Sequence, residues 1–450
     1  MVSQLFSKIK INSGLMWSFS NSFIVSLFGF LSYSLLSKNL SVIDYSFFSI
    51  LLSVLGVFIS IGTFGMHIIS SKLYEKNEHH SHISKLFQLS LFTVVLALIL
   101  FFVTAKIMRL SIFDNELYKI LIIFIPCSIY LRIISDLFRA KQKFNLFFLL
   151  NSIGSGAGII FWIFSLALLF ILVQINYLNI YNIFLSLTVA SLISFFLFLT
   201  LYYSQIVSFL KKFIFKYEKL NFKLFFSSTF FVFITVLLRT IKENFSIIIL
   251  WFVGSQTDSG IFFNIYRSLF IVFIPIIIID NIIPQFISDY FKNNFQKLKA
   301  FSRKISTYRI IASLVLFLPL YIFAEQYLEF FFGLQYAEGY QSLRFLISCF
   351  IISQIFGISY SILLLTKYEK QLALIDFILL TIFILFSIYF SSIYGYKAAI
   401  ICFSLLMVVS SIVYYIFCLN IIGINVMISF SPKKIISYIK KDLFQNNIIK

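Results

Sequence analysis

Arg239, Lys242 and Glu243 interrupt an otherwise apolar run from Leu224 to Trp251 that is long enough to cross a bilayer. A charge at the bilayer centre costs about 2.5–3.5 kcal/mol on insertion scales, so three together need a reason. Spacings of three and four put them on one helical face. Arg239 and Glu243 stand one turn apart and can neutralise each other, which leaves Lys242 as a net cation. Two readings follow: an inter-helix ion pair that only fixes packing, or a polar pathway suited to an anion.

A second charged stripe lies in the run Lys119–Ala140, which ends IYLRIISDLFRA. Arg132, Asp136 and Arg139 follow at spacings of four and three. Arg139 sits near the end, where its long side chain can snorkel to the interface. Arg132 and Asp136 are deeper and are expected to face the interior. Arg267, Asp280, Arg344 and Asp376 are further charges in or at the ends of apolar runs.

The elements that would hold these charges follow from composition. Of 450 residues, 60% are hydrophobic and 12% charged, and mean hydropathy is +0.99. No soluble domain hides that much apolar surface, so the class is a polytopic membrane protein. Twelve apolar runs of about 20 residues are expected, at Gly14–Leu36, Phe47–Ser70, Leu86–Met108, Lys119–Ala140, Phe147–Phe170, Tyr181–Tyr203, Leu224–Trp251, Gly260–Pro284, Ser306–Ala324, Ser342–Thr366, Leu372–Tyr394 and Ala398–Asn420. The fold class is therefore all-α, with two six-helix lobes around a central cavity. The domains are an N-terminal lobe (1–204), a basic amphipathic cytoplasmic linker (205–223), a C-terminal lobe (224–420) and a basic cytoplasmic tail (421–450).

The net charge of +19 does not indicate nucleic acid, because the cations lie in short loops between apolar runs. Assigned alternately, the loops on the N-terminal side hold Lys8, Lys10, Lys72, Lys76, Lys85, Lys141, Lys143, the linker, Lys292–Lys304, Lys367, Lys370 and the tail. The other side keeps Lys38, Arg109 and Lys397. The asymmetry places both termini in the cytoplasm. The linker, with Lys211, Lys212, Lys216 and Lys219 among apolar residues, suits anionic membrane lipid.

The four cysteines lack metal-like spacing and read as packing residues. His79, His80 and His82 share one short loop without fixed geometry, and His67 reads as a packed histidine, so no metal is assigned. No cofactor motif, phosphate loop or nucleophile elbow is present, and no catalysis is assigned. Gly62 and Gly65 suit close helix approach. A faint repeat, DYSFFSI from Asp44 and DSGIFFNI from Asp258, supports two related halves.

VGSQTDSGIFFNIYRSLFIVFIPIIIIDNIIPQFISDYFKNN resembles the seventh-to-eighth helix region of bacterial polysaccharide flippases, members of the multidrug/oligosaccharidyl-lipid/polysaccharide exporter superfamily. The matching residues are Gly254, Asp258, Gly260, Phe262, Phe263 and Pro284. FFGLQYAEGYQSLRFL, with Gly333, Tyr336, Ala337 and Leu343, resembles that family's turn before the tenth helix. IGTFGMHIISSKL and LFRAKQKFN are similar to its second-helix end and fourth-helix exit, although His67 and Lys72 stand where arginine is common.

The resemblance implies a flippase of the bacterial inner membrane, moving undecaprenyl-diphosphate-linked O-antigen or capsule repeat units by alternating access. The pathway's polymerase and chain-length proteins are the implied protein partners. A diphosphate crossing a low-dielectric region needs fixed cations. Arg132, Arg239, Lys242, Arg267 and Arg344 are then the candidate substrate-binding residues. Asp136, Glu243, Asp280 and Asp376 would hold the cations or carry a coupled proton. The rivals are an ion-coupled multidrug exporter of the same superfamily, which would need free carboxylates in its N-terminal half, and a membrane polysaccharide polymerase, which would need a large outer loop.

Overall fold

The computed structural model describes residues 12–65, 79–108, 110, 116–140, 158–201, 203, 222–366 and 368–429, and every regular element among them is helical. The expected linker helix, up to residue 221, and the tail from 430 lie outside the described residues, as do His67, Lys72 and the side chains of Asp136 and Arg139. In chain order the helices are α1 (Asn12–Asn39), α2 (Val42–Thr63), α3 (His79–Ile107), α4 (Leu117–Ala140), α5 (Ile159–Gln174), α6 (Ile180–Leu201) and α7 (Phe222–Val253). They continue with α8 (Gln256–Ser268), α9 (Phe270–Asn293), α10 (Phe295–Ile322), α11 (Ala324–Phe332), α12 (Tyr340–Ile355), α13 (Ser359–Leu365) and α14 (Glu369–Phe417).

Among the described residues, six helices are long and apolar enough to cross a membrane, and the bent α12–α13 pair makes a seventh. α14 breaks at Gly395 (φ 59°, ψ −142°). Each side of that break is long enough at 1.5 Å per residue to cross about 30 Å of hydrocarbon. The chain is a multi-pass helical membrane protein. α3 illustrates how its sidedness arises. Phe92, Val95, Ile99 and Val103 are exposed on one face, while Val94, Ala97, Phe101 and Ala105 are buried on the other.

The chain forms two compact units, Leu27–Phe263 and a second comprising Met1–Ser26 with Asn264–Lys450. Packing thus groups α7 with the helices before it, whereas the compositional division falls at the 205–223 linker. The contacts of α7 with α2 explain the grouping. Phe233 stacks on Phe64 with centroids 4.2 Å apart, Thr240 and Ser60 share a hydrogen bond of 3.1 Å, and Trp251 meets Phe47 at 6.0 Å.

Helix starts differ from the expected runs where a cap intervenes. α2 begins at Val42, upstream of the expected Phe47, because the Ser41 hydroxyl accepts the Asp44 N–H at 3.1 Å. α8 repeats the device: Asp258 accepts the Ser255 N–H at 3.0 Å and the Ser255 hydroxyl accepts the Asp258 N–H at 3.3 Å. The faint repeat in the sequence is therefore, physically, a pair of S-x-x-D helix starts. The expected run Gly260–Pro284 is divided between α8 and α9 at Leu269.

Candidate functional site

The charged stripe of α7 lies beside, and not within, the face that packs on α2. Phe233, Thr240 and Trp251 touch α2, and the Asn244 amide lies against Gly56. Arg239 Nε donates to Glu243 Oε1 at 3.0 Å, with the two side chains 55% and 42% exposed. This is not a buried ion pair. Lys242, half-buried, shares the face by helical register.

In the same unit, Arg132 is half-buried on α4, and its carbonyl accepts the Ser135 hydroxyl at 2.8 Å. Asp136 follows one turn later along the same helix.

The remaining candidates belong to the other unit. Arg267, in the last turn of α8, holds its guanidinium 4.7 Å from the Phe270 ring and 5.7 Å from Tyr266. Arg344 donates from Nε to the Tyr321 carbonyl and from Nη2 to the Ile322 carbonyl, each at 3.0 Å, and lies 5.1 Å from the Tyr340 ring. It thereby satisfies two carbonyls at the end of α10, a structural duty for its fork of donors.

Asp280 accepts from Arg309 Nη2 at 3.2 Å across α9 and α10, and Arg309 is only 12% exposed. Asp376, buried in α14, accepts from the Tyr414 hydroxyl beyond the Gly395 break. Arg309 and Tyr414 are absent from the sequence candidates. The signal for Arg309 was available, since it lies inside the expected run Ser306–Ala324.

In this unit the turn Gly333–Gly339 is built around Tyr336, 1% exposed. No group of His, Cys, Asp and Glu that could hold a metal occurs among the described residues.

These features define a helical membrane protein of two units with charges set along its spans. By sequence, no family profile and no curated protein matches the chain. By structure, it is similar to a MATE transporter solved in complex with MaL6 (TM-score 0.68, 10% identity, covering 92% of this chain and 97% of that one). It is also similar to the lipid II flippase MurJ in an inward closed conformation (TM-score 0.64, 16% identity, 95% and 91% covered). A third likeness is to a MOP superfamily transporter from Pyrococcus furiosus, described as having a binding pocket of reverse polarity (TM-score 0.62, 12% identity, 92% and 96% covered). The chain shares the fold of these transporters.

Proposed function

We propose that this chain is a flippase that moves undecaprenyl-diphosphate-linked oligosaccharide repeat units across the bacterial cytoplasmic membrane by alternating access, for surface polysaccharide such as O-antigen or capsule. The carrying observation is the exposed Arg239–Glu243 pair with Lys242 beside it, in the middle of an apolar helix. Exposed charges at that depth are costly against lipid, so the face that bears them meets water or substrate. Two cations against one carboxylate favour an anionic cargo. Arg239 offers a planar fork to phosphate oxygens and Lys242 a point charge. Arg132 is a further cation in the same unit, and Arg267 adds one in the other. Arg344 is occupied with helix carbonyls and is the weakest of the five.

The MATE likeness favours a second reading, an ion-coupled multidrug exporter. Cationic drugs call for carboxylates, yet α1 carries none along its 28 residues. For the Pyrococcus furiosus protein, the reverse polarity of the binding pocket is described as suggesting a different function, so the shared fold does not by itself favour a drug cargo.

The test is surface polysaccharide in a deletion strain complemented with variants, with membrane levels checked in parallel. Arg239→Ala with Glu243→Ala leaves no charge of the pair behind, so the protein stays folded. Export falls roughly 10–100-fold if Arg239 serves the diphosphate, the worth of one or two charge-assisted hydrogen bonds. Lys242→Ala also weakens export, and Lys242→Arg keeps much of it. Normal export in the double variant and in Lys242→Ala sinks the reading; drug sensitivity with intact polysaccharide supports the second.

A further inference from the structure

α12 and α13 are halves of one apolar helix broken at Phe356–Ile358, with a bend of 56°. Gly357 makes the break, at φ 70° in the left-handed region. A broken helix strands carbonyls at the end of its first half and N–H groups at the start of its second. Here one group of each set finds a partner from elsewhere. Ile358 N–H donates to the Ser306 hydroxyl of α10 at 3.3 Å, and the Ile355 carbonyl accepts the Ile428 N–H at 3.2 Å.

Ile428 belongs to a segment that follows α14. A π-turn over Cys418–Ile422 ends at Gly423 (φ 73°), where Ile424 N–H donates back to the Cys418 carbonyl at 3.2 Å. Beyond it Ile424, Val426 and Ile428 are buried at 0%, 0% and 7%, alternating with exposed Asn425 and half-buried Met427. The Val426 carbonyl fills the place a side chain on Gly357 would need, and the Ser429 N–H donates to Thr307 Oγ1 on α10 at 3.0 Å. The strap thus ties α10 to the end of the first half, while Ser306 of α10 itself holds the start of the second.

We propose that residues 424–429 form a latch that holds the α12–α13 break in its bent form, and that undocking of this strap lets the two halves rejoin as one helix. Straightening restores the i→i−4 bonds that the break forfeits, while docking supplies the strap and Ser306 bonds instead. What tips the balance is apolar burial of Ile424, Val426 and Ile428, available only when the strap is docked. The device needs no statement about cargo, so it stands or falls apart from the flippase reading.

The test is a spin-label distance between Phe345→Cys on α12 and Leu365→Cys on α13, in a background lacking the native cysteines. Straightening a 56° bend between these sites lengthens the separation by about 3 Å at 1.5 Å rise per residue. A chain ending at Gly423 shows the longer distance, and a chain ending at Ser429 keeps the short one. The short distance in the chain ending at Gly423, or equal lengthening in both, overturns the latch. Should the shorter chain fail to reach the membrane, Ile428→Pro with Thr307→Val removes both strap bonds at full length. The longer distance there supports the latch and the short one overturns it.

Discussion

The Ser46 hydroxyl accepts the Gly260 backbone N–H at 3.1 Å, joining two helix starts 214 residues apart in sequence that carry the same S-x-x-D device. A methyl group on Gly260 would overlap that hydroxyl, so the glycine is fixed by the approach of α2. The neighbouring Phe262 and Phe263 are fully buried, and Phe263 sets its edge on Tyr33 at 5.3 Å and on Tyr45 at 6.0 Å.

Gly260→Ala therefore costs stability through overpacking, about 1–3 kcal/mol. Ser46→Ala removes the obstructing oxygen and two hydrogen bonds, the one from Gly260 N–H and a longer one to the Thr257 carbonyl, a loss of about 1–2 kcal/mol. The double variant recovers most of the Gly260→Ala deficit, because the two methyl groups then sit at ordinary contact distance. Thermal unfolding in detergent reads the cycle. A double variant no better than the sum of the singles would place the clash elsewhere.

The helical fold was legible in the sequence because apolar runs of spanning length are local. The α7 stripe was legible for the same reason, with Arg239, Lys242 and Glu243 inside five residues. Partners set by helix rotation were not. Asp280 meets Arg309 29 residues away, Arg344 reaches carbonyls 22 and 23 residues back, and Asp376 meets Tyr414 38 residues on. Each depends on which way a neighbouring helix turns. The strap escaped for another reason: a short alternating run, Ile424, Val426 and Ile428, follows a span and reads as the opening of a tail.

Water access to the α7 stripe is expected to differ by position. Cysteines at 239 and 242 react with a hydrophilic thiol reagent in intact cells. A cysteine at Phe233, buried against Phe64, reacts far more slowly. Equal protection at all three positions would remove the reason for assigning this face to water or cargo.

The Lys/Arg asymmetry predicts an orientation that can be tested. Reporter fusions after Asn176, in the turn between α5 and α6, and after Leu334, 74% exposed, are expected to read extracytoplasmic. A cytoplasmic signal at either position contradicts the assignment of both termini to the cytoplasm.

Asp280 and Arg309 form a pair in which the arginine is largely buried, so removing one partner costs more than removing both. Arg309→Met alone leaves Asp280 without that cation and destabilises by about 2–4 kcal/mol. Adding Asp280→Asn returns most of the loss. Melting temperatures of the two single variants and the double decide it, and strict additivity would mean that the contact contributes nothing.

Asp376 offers the sharpest separation of structural from coupling roles. Its carboxylate is 5% exposed and accepts the Tyr414 hydroxyl, while the Tyr414 ring lies 5.6 Å from Tyr360. An asparagine keeps an oxygen that can accept from Tyr414, so Asp376→Asn is expected to fold with a stability change within about 1 kcal/mol. Tyr414→Phe withdraws the donor and leaves a buried carboxyl oxygen short of one bond, a cost of about 1–3 kcal/mol. If Asp376 only anchors Tyr414, transport by Asp376→Asn matches the parent at every pH. If it carries the coupled proton, Asp376→Asn folds equally well but loses dependence on an imposed pH gradient, because the amide cannot exchange a proton. Uptake into vesicles with and without the gradient, compared with thermal stability of the same preparations, distinguishes the two. A full gradient response in Asp376→Asn would end the coupling role of this residue, whatever its effect on stability.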